Sequence, residues 1–148
     1  MANAAFHLGL TGPGGWWIIH KPELSLGVDP DYDPVVPDIA GWRLTTMPDR
    51  PMAPQFHLVP DGVCEVLSPS TARHDRMLKL PFYARAGVRY AWLVDPILET
   101  VEVYRNEGGN WLLAATAAGD RVVTLKPFDA VAMDRLPGWG RRRDSEGD

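Results

Sequence analysis

One acid, Glu65, stands inside the apolar run at residues 62–67, GVCEVL. Burying an unpaired carboxylate is costly, so a charge in that setting needs a partner, a metal or a chemical task. A second oddly placed acid, Asp38, follows proline in VVPDIAGW, and Lys79 lies downstream of the apolar run. Two carboxylates on neighbouring strands, with the backbone carbonyl beside one of them, make an all-oxygen ligand set. Hard cations such as magnesium or manganese favour such a set. Magnesium takes few protein carboxylates and keeps waters, one of which can become a nucleophile. A lysine reaching in from a helix would orient that water or neutralise charge building on a phosphate. Phosphodiester hydrolysis needs those parts: metal, activated water, and positive charge at the transition state.

The elements that must hold these residues are readable between positions 62 and 96. GVCEVL predicts a buried strand, and Ser70 or Thr71 in SPST can cap the N-terminus of a helix over residues 71–86. Gly87 is a good residue to end it. Pro81 removes a backbone hydrogen bond within that helix and predicts a kink or break. Asp75, Lys79 and Tyr83 are spaced i, i+4, i+8 and share one helix face. YAWLV at 90–94 predicts a second buried strand, closed by Asp95 and Pro96. Asp38 and Glu65 meet if their two strands pair.

Around this centre, residues 1–15 are small, apolar and glycine-rich. GPGG at 12–15 fits no phosphate loop and predicts a turn. WWIIH (16–20) and residues 24–28 predict strands, with Glu23 between them either a surface acid or a further carboxylate near the site. DPDYDP (29–34) is a loop without the glycine and terminal glutamate of an EF-hand. A strand over 35–42 follows, restricted at Pro37. Residues 45–60 carry Pro48, Pro51, Pro54 and Pro60 and predict a long connection beside a substrate groove, with a short strand at 56–58. TVEVYR (100–105) alternates, NEGGN (106–110) is a hairpin turn, and further strands are expected over 111–116, 120–125 and 128–133. The expectation is an α/β domain over residues 1–136, a mixed sheet with one principal helix on its face, and a polar tail at 137–148.

Composition narrows the class. The chain has 148 residues, 45% hydrophobic and 23% charged, with a formal net charge of −4. One domain is expected, and any nucleic-acid contact must come from a local basic patch. Excluding histidine, the helical segment supplies one: Arg73, Arg76, Lys79 and Arg85 against Asp75. A single cysteine, Cys64, excludes an internal disulfide and a cysteine-rich zinc site. No secretory signal and no apolar run near the ~18 residues needed to span a membrane appears, so a cytoplasmic location is expected.

VPDIAGW, CEVLSPST, the Asp75–Lys79–Tyr83 helix, AGV, YAWLVDP and TVEVYR together resemble the Uma-two family of restriction-endonuclease-type proteins, within the PD-(D/E)XK nuclease superfamily. The resemblance spans roughly residues 12–133. The superfamily's PD would be Pro37 and Asp38, and its (D/E) would be Glu65. Leu67 stands where the superfamily lysine usually falls, and the family pattern moves that lysine to Lys79. The resemblance implies a restriction-endonuclease-like fold and magnesium, with manganese as substitute, held by Asp38, Glu65 and the Val66 carbonyl. It further implies Lys79 as catalytic cation and DNA as substrate. Family members carry more sequence before GPGGWW, so the first core helix is expected to be missing or shortened.

Each residue has a plainer reading. Asp38 can be a turn acid, Glu65 an arginine partner and Lys79 a surface lysine. Asp75 can be a mere i,i+4 partner of Lys79, worth ~0.2–0.5 kcal/mol. Tyr83 and the tryptophans Trp16, Trp17 and Trp42 are core candidates, though a tryptophan can stack on a base. His57 and His74 lack a second histidine at metal spacing. A catalytically silent interaction module, such as a homodimer through exposed strands, is the first alternative to a nuclease. A serine hydrolase through Ser68 or Ser70 is the second, but no G-x-S-x-G surrounds either.

Overall fold

Glycine and β-branched residues in GVCEV leave no helical period, and this stretch forms the central strand of a six-stranded sheet. The structure is a computed structural model that describes residues 15–67 and 72–119, with backbone alone over 72–77. The strands are β1 (Trp16–His20), β2 (Glu23–Leu24), β3 (Ile39–Arg43), β4 (Gln55–Phe56), β5 (Gly62–Val66), β6 (Tyr90–Asp95), β7 (Thr100–Glu107) and β8 (Asn110–Ala118). The main sheet runs β1-β3-β5-β6-β7-β8, while β2 and β4 form a small parallel pair apart from it.

β5 and β6 are the parallel neighbours, and every other pair in the main sheet is antiparallel. Parallel strands cannot be joined by a tight turn and need a crossover. That crossover carries helix α1 (Ala72–Ala86). The sheet face toward α1 packs Val63, Ala91, Ile19 and Trp42 against Phe82 and Tyr83. The opposite face carries Trp16, Ile18, Ile39, Cys64, Trp92 and Val101.

The far end of α1 is held at several points. Gly87 adopts a φ of 93°, in the left-handed region where a Cβ is penalised, and Val88 N–H closes the last turn onto the Tyr83 carbonyl. The Asn106 amide, on β7, donates to both the Ala84 and Val88 carbonyls at 3.0 and 2.9 Å. Trp111, on β8, donates its indole N–H to the Leu80 carbonyl at 2.8 Å. Of the kink or break expected at Pro81, the break does not occur, and the helix continues through it. Pro81 lies on the exposed face, so its ring meets solvent.

Other boundaries also differ. The strand expected over 24–28 stops at Leu24, because Gly27 turns at a φ of 72° and Val28 is exposed. β3 begins at Ile39 rather than at 35. Pro37 cannot donate to a ladder, and Val35 forms only an isolated bridge to Leu24. The proline-rich connection is anchored to the fold: Met47 is buried, and the Trp42 indole donates to the Leu58 carbonyl at 3.0 Å. The short strand within it is Gln55–Phe56, one residue earlier than expected. Gly108 and Gly109 take φ values of 60° and 92°, which makes the expected hairpin turn between β7 and β8. The expected strands at 120–125 and 128–133, the tail, the N-terminal turn and the first core helix lie outside the described residues. So do both ends of the expected domain. Among the described residues no helix is long and apolar enough to cross a membrane.

Gly62 is required by a close approach. A Cβ there would lie 1.9 Å from the ring of Trp92, which is itself buried. Overfilling a packed core costs about 1–3 kcal/mol. Gly62→Ala is therefore expected to lose at least that much in urea unfolding, and an unchanged midpoint would contradict this packing.

Candidate functional site

Side chains alternate along a strand. Val63 faces the α1 cluster and Cys64 faces the other, so Glu65 points toward α1. It is 2% exposed. Two residues one helical turn apart meet it there. The Tyr83 hydroxyl donates to Glu65 Oε2 at 2.8 Å, and Lys79 Nζ lies 3.6 Å from the same oxygen. Lys79 also donates to the Val36 carbonyl at 2.9 Å. Its side chain is 24% exposed, so the ammonium bridges the buried acid and solvent.

Asp38 arrives from the neighbouring strand. Ile39 pairs with Cys64, so one step beyond the ladder Asp38 stands opposite Glu65. Ala40 lies in the α1-facing cluster, and Asp38, two residues before it, shares that face. Asp38 Oδ2 accepts the Val66 N–H at 2.7 Å, where a strand beginning at Ile39 has no backbone left to pair. At the other end of the same ladder, Asp61 Oδ2 accepts the Arg43 N–H at 2.8 Å. The Asp38 carbonyl in turn accepts the Lys21 N–H at 2.8 Å, and Lys21 holds a left-handed φ of 47°. Non-glycine residues adopt that conformation at a cost, and such positions gather near functional sites.

The carboxylates also act on neighbouring titratable groups. Burial pushes the Cys64 thiol well above its ordinary value, and the charges of Glu65 and Asp38 push it further the same way. Partial burial lowers the pKa of His20. Asp38 opposes that shift, and neighbouring Lys21 adds to it.

Asp38, Glu65, Val66, Lys79 and Tyr83 are thus gathered at one end of the β3–β5 ladder beneath α1. Glu23 lies exposed in the small sheet. Asp75 belongs to α1 by its backbone, while its side chain, Ser68 and Ser70 lie outside the described residues. Sequence reasoning missed His20, Lys21 and the Val36 carbonyl. His20 pairs with Ile39, the residue after Asp38, and only the β1–β3 register reveals this.

Among the described residues no group of three His, Cys, Asp or Glu side chains is gathered to hold a metal. The donor set still fits a small hard cation. It is all oxygen, with two carboxylates at opposed register positions on one face, and magnesium needs only one or two carboxylates because it keeps its waters.

A mixed sheet crossed by one helix, with paired carboxylates and a lysine beneath that helix, places the chain among nuclease-like α/β folds. A solved structure of similar fold is that of a putative nuclease belonging to DUF820 from Anabaena variabilis. It aligns at a TM-score of 0.59 and 22% identity over 85% of this chain and 66% of that one. An uncharacterized protein of Synechocystis, slr1290, is 31% identical over 111 residues, which is 74% of this chain and 57% of that protein. Residues 13–134 match the Uma2 family, described as putative restriction endonucleases, and the chain belongs to that family.

The Cys64 shift has a readable consequence. A thiol whose pKa is raised on folding keeps its proton where the unfolded chain loses it, so the unfolded state binds fewer protons at high pH. Stability is then intact below the unfolded value of about 9 and falls as pH rises above it, by up to about 1.4 kcal/mol per pH unit. Urea unfolding at pH 7 and pH 10 is expected to show a smaller alkaline loss in Cys64→Ala than in wild type. Equal losses would mean the thiol titrates alike in both states.

Proposed function

We propose that the protein is a magnesium-dependent endonuclease that hydrolyses phosphodiester bonds in DNA. The observation that carries this reading is the opposed carboxylate pair, Asp38 and Glu65, with Lys79 at 3.6 Å from Glu65. Membership of a family described as putative restriction endonucleases supports it. Asp38, Glu65 and the Val66 carbonyl would hold the cation. When bound, the cation supplies a water of lowered pKa and a positive contact for the phosphate. Lys79, partly open to solvent, would donate to a phosphate oxygen as negative charge builds there. The Val36 carbonyl and Glu65 hold that ammonium in place before substrate arrives, so little reorganisation is needed. Lys21, exposed beside Asp38, would add positive charge where the backbone of DNA approaches.

One observation favours a second reading. Lys79 lies 3.6 Å from Glu65, and a nuclease fold whose carboxylate is satisfied by lysine can serve as a silent interaction module, for instance as a homodimer.

Calorimetric titration with manganese separates the two readings. Wild type is expected to bind saturably, and Glu65→Ala to lose binding. Lys79→Ala is expected to keep metal binding and to lower cleavage of a DNA substrate by about a hundredfold or more, as loss of a charge-stabilising donor does. A folded wild type that binds no divalent metal would select the silent module. Full cleavage by Lys79→Ala would remove that residue from the chemistry.

A further inference from the structure

The hydroxyl of Tyr83 has no obvious part in hydrolysis, yet it reaches the acid on which the site depends. Its hydrogen bond to Glu65 Oε2, at 2.8 Å, lies wholly inside the protein, with Tyr83 at 0% and Glu65 at 2% exposure. Neither partner is free to move. Glu65 sits on β5, flanked by β3 and β6, and Tyr83 sits in the last turn of α1, its ring against Phe82 at 5.9 Å. The Tyr83 carbonyl closes that turn by accepting the Val88 N–H. Asn106 and Trp111 hold the same helix from the hairpin. Oε2 is therefore engaged by a phenol whose position the core sets, and it is also the oxygen nearest Lys79.

We infer that Tyr83 is a positioning residue that fixes the direction of the Glu65 carboxylate and disfavours its turning both oxygens to a cation, and so makes the site select magnesium-sized ions over calcium. The inference rests on the metal-binding reading above and names what that site accepts. Calcium takes six to eight oxygens, commonly through two-oxygen carboxylates in flexible sites. Magnesium takes an octahedral shell that one-oxygen carboxylates and waters complete. A carboxylate held at one oxygen by a buried phenol suits the second ion and starves the first. Asp38 is restrained in the same way, since its Oδ2 accepts the Val66 N–H. Both acids are thus presented with one oxygen already committed to the fold. Phenylalanine in place of Tyr83 keeps the ring that fills the core and deletes only the hydroxyl.

The test compares manganese and calcium by calorimetry on wild type and Tyr83→Phe, with circular dichroism and urea unfolding to confirm that each is folded. Wild type is expected to bind manganese at least tenfold more tightly than calcium. Tyr83→Phe is expected to reduce that ratio by about tenfold or more, in line with the effect of removing a partner that orients a metal ligand. A variant that only lost packing would unfold earlier without changing its ion preference. Equal affinity of wild type for the two ions would overturn the inference without any variant. An unchanged ratio in folded Tyr83→Phe would overturn it while leaving the metal site standing. Binding of neither ion by wild type would fell the metal site, and this inference with it.

Discussion

A carboxylate under a helix is the constraint from which the rest of this molecule's site follows. Glu65 is carried into the interior by the strict alternation of β5, and α1 then seals it from water. Withdrawing one partner from such a buried pair costs about 3–5 kcal/mol, because the remaining charge is stranded. The surface pair Arg105–Glu107, with both side chains 51% exposed, lies in the class worth about 0–1 kcal/mol. The helix must therefore bring a donor and a cation to one spot, and the one-turn spacing of Lys79 and Tyr83 does so. That requirement fixes the rotation of α1 about its axis more firmly than its apolar residues do. Leu78, one turn before the buried Phe82, is 44% exposed.

Asp38 shows how structural and chemical duties share one side chain. β3 cannot extend toward its N-terminus through Pro37, so the ladder would end with the Val66 N–H unpaired. The Asp38 carboxylate takes that hydrogen, as Asp61 takes the Arg43 N–H at the other end. Both acids can be read as ladder caps. Asp38 differs in facing a second carboxylate and in lying next to the backbone of a lysine. The proline before it thus has a physical consequence: by ending the strand early, it frees the next side chain from the sheet.

Much of this was legible in the residue pattern. The apolar runs at β5 and β6 announce buried strands, the alternation at β7 announces a half-buried one, and Gly87 and the Gly108–Gly109 pair mark where the chain turns. Glu65 was conspicuous because charge in an apolar run is rare. Lys79 and Tyr83 were raised by their shared helical phase together with the family resemblance. What was not legible depends on register and tertiary anchoring. Nothing local to His20 or Lys21 says that β1 pairs with β3 so as to set them beside Asp38. Pro81 predicted a kink or break from local chemistry alone, and the packing of Phe82, Tyr83 and Trp111 beside it accompanies a helix that does not break. The anchors of the proline-rich connection, Met47 and the Leu58 carbonyl, were not legible because their partners are distant in sequence.

The hairpin formed by β7 and β8 lies on the far side of the sheet from Asp38, with two strands between β7 and β3, yet it clasps the helix that bears Lys79 and Tyr83. Asn106 and Trp111 each stand two positions from the Gly108–Gly109 turn. Length changes at that turn would therefore not be silent in the way surface insertions usually are. Lengthening the loop slides Trp111 along the helix, and removing a residue drags Asn106 off the last turn. A segment that looks like ordinary decoration on the sheet edge thus has its length dictated by the helix it grips.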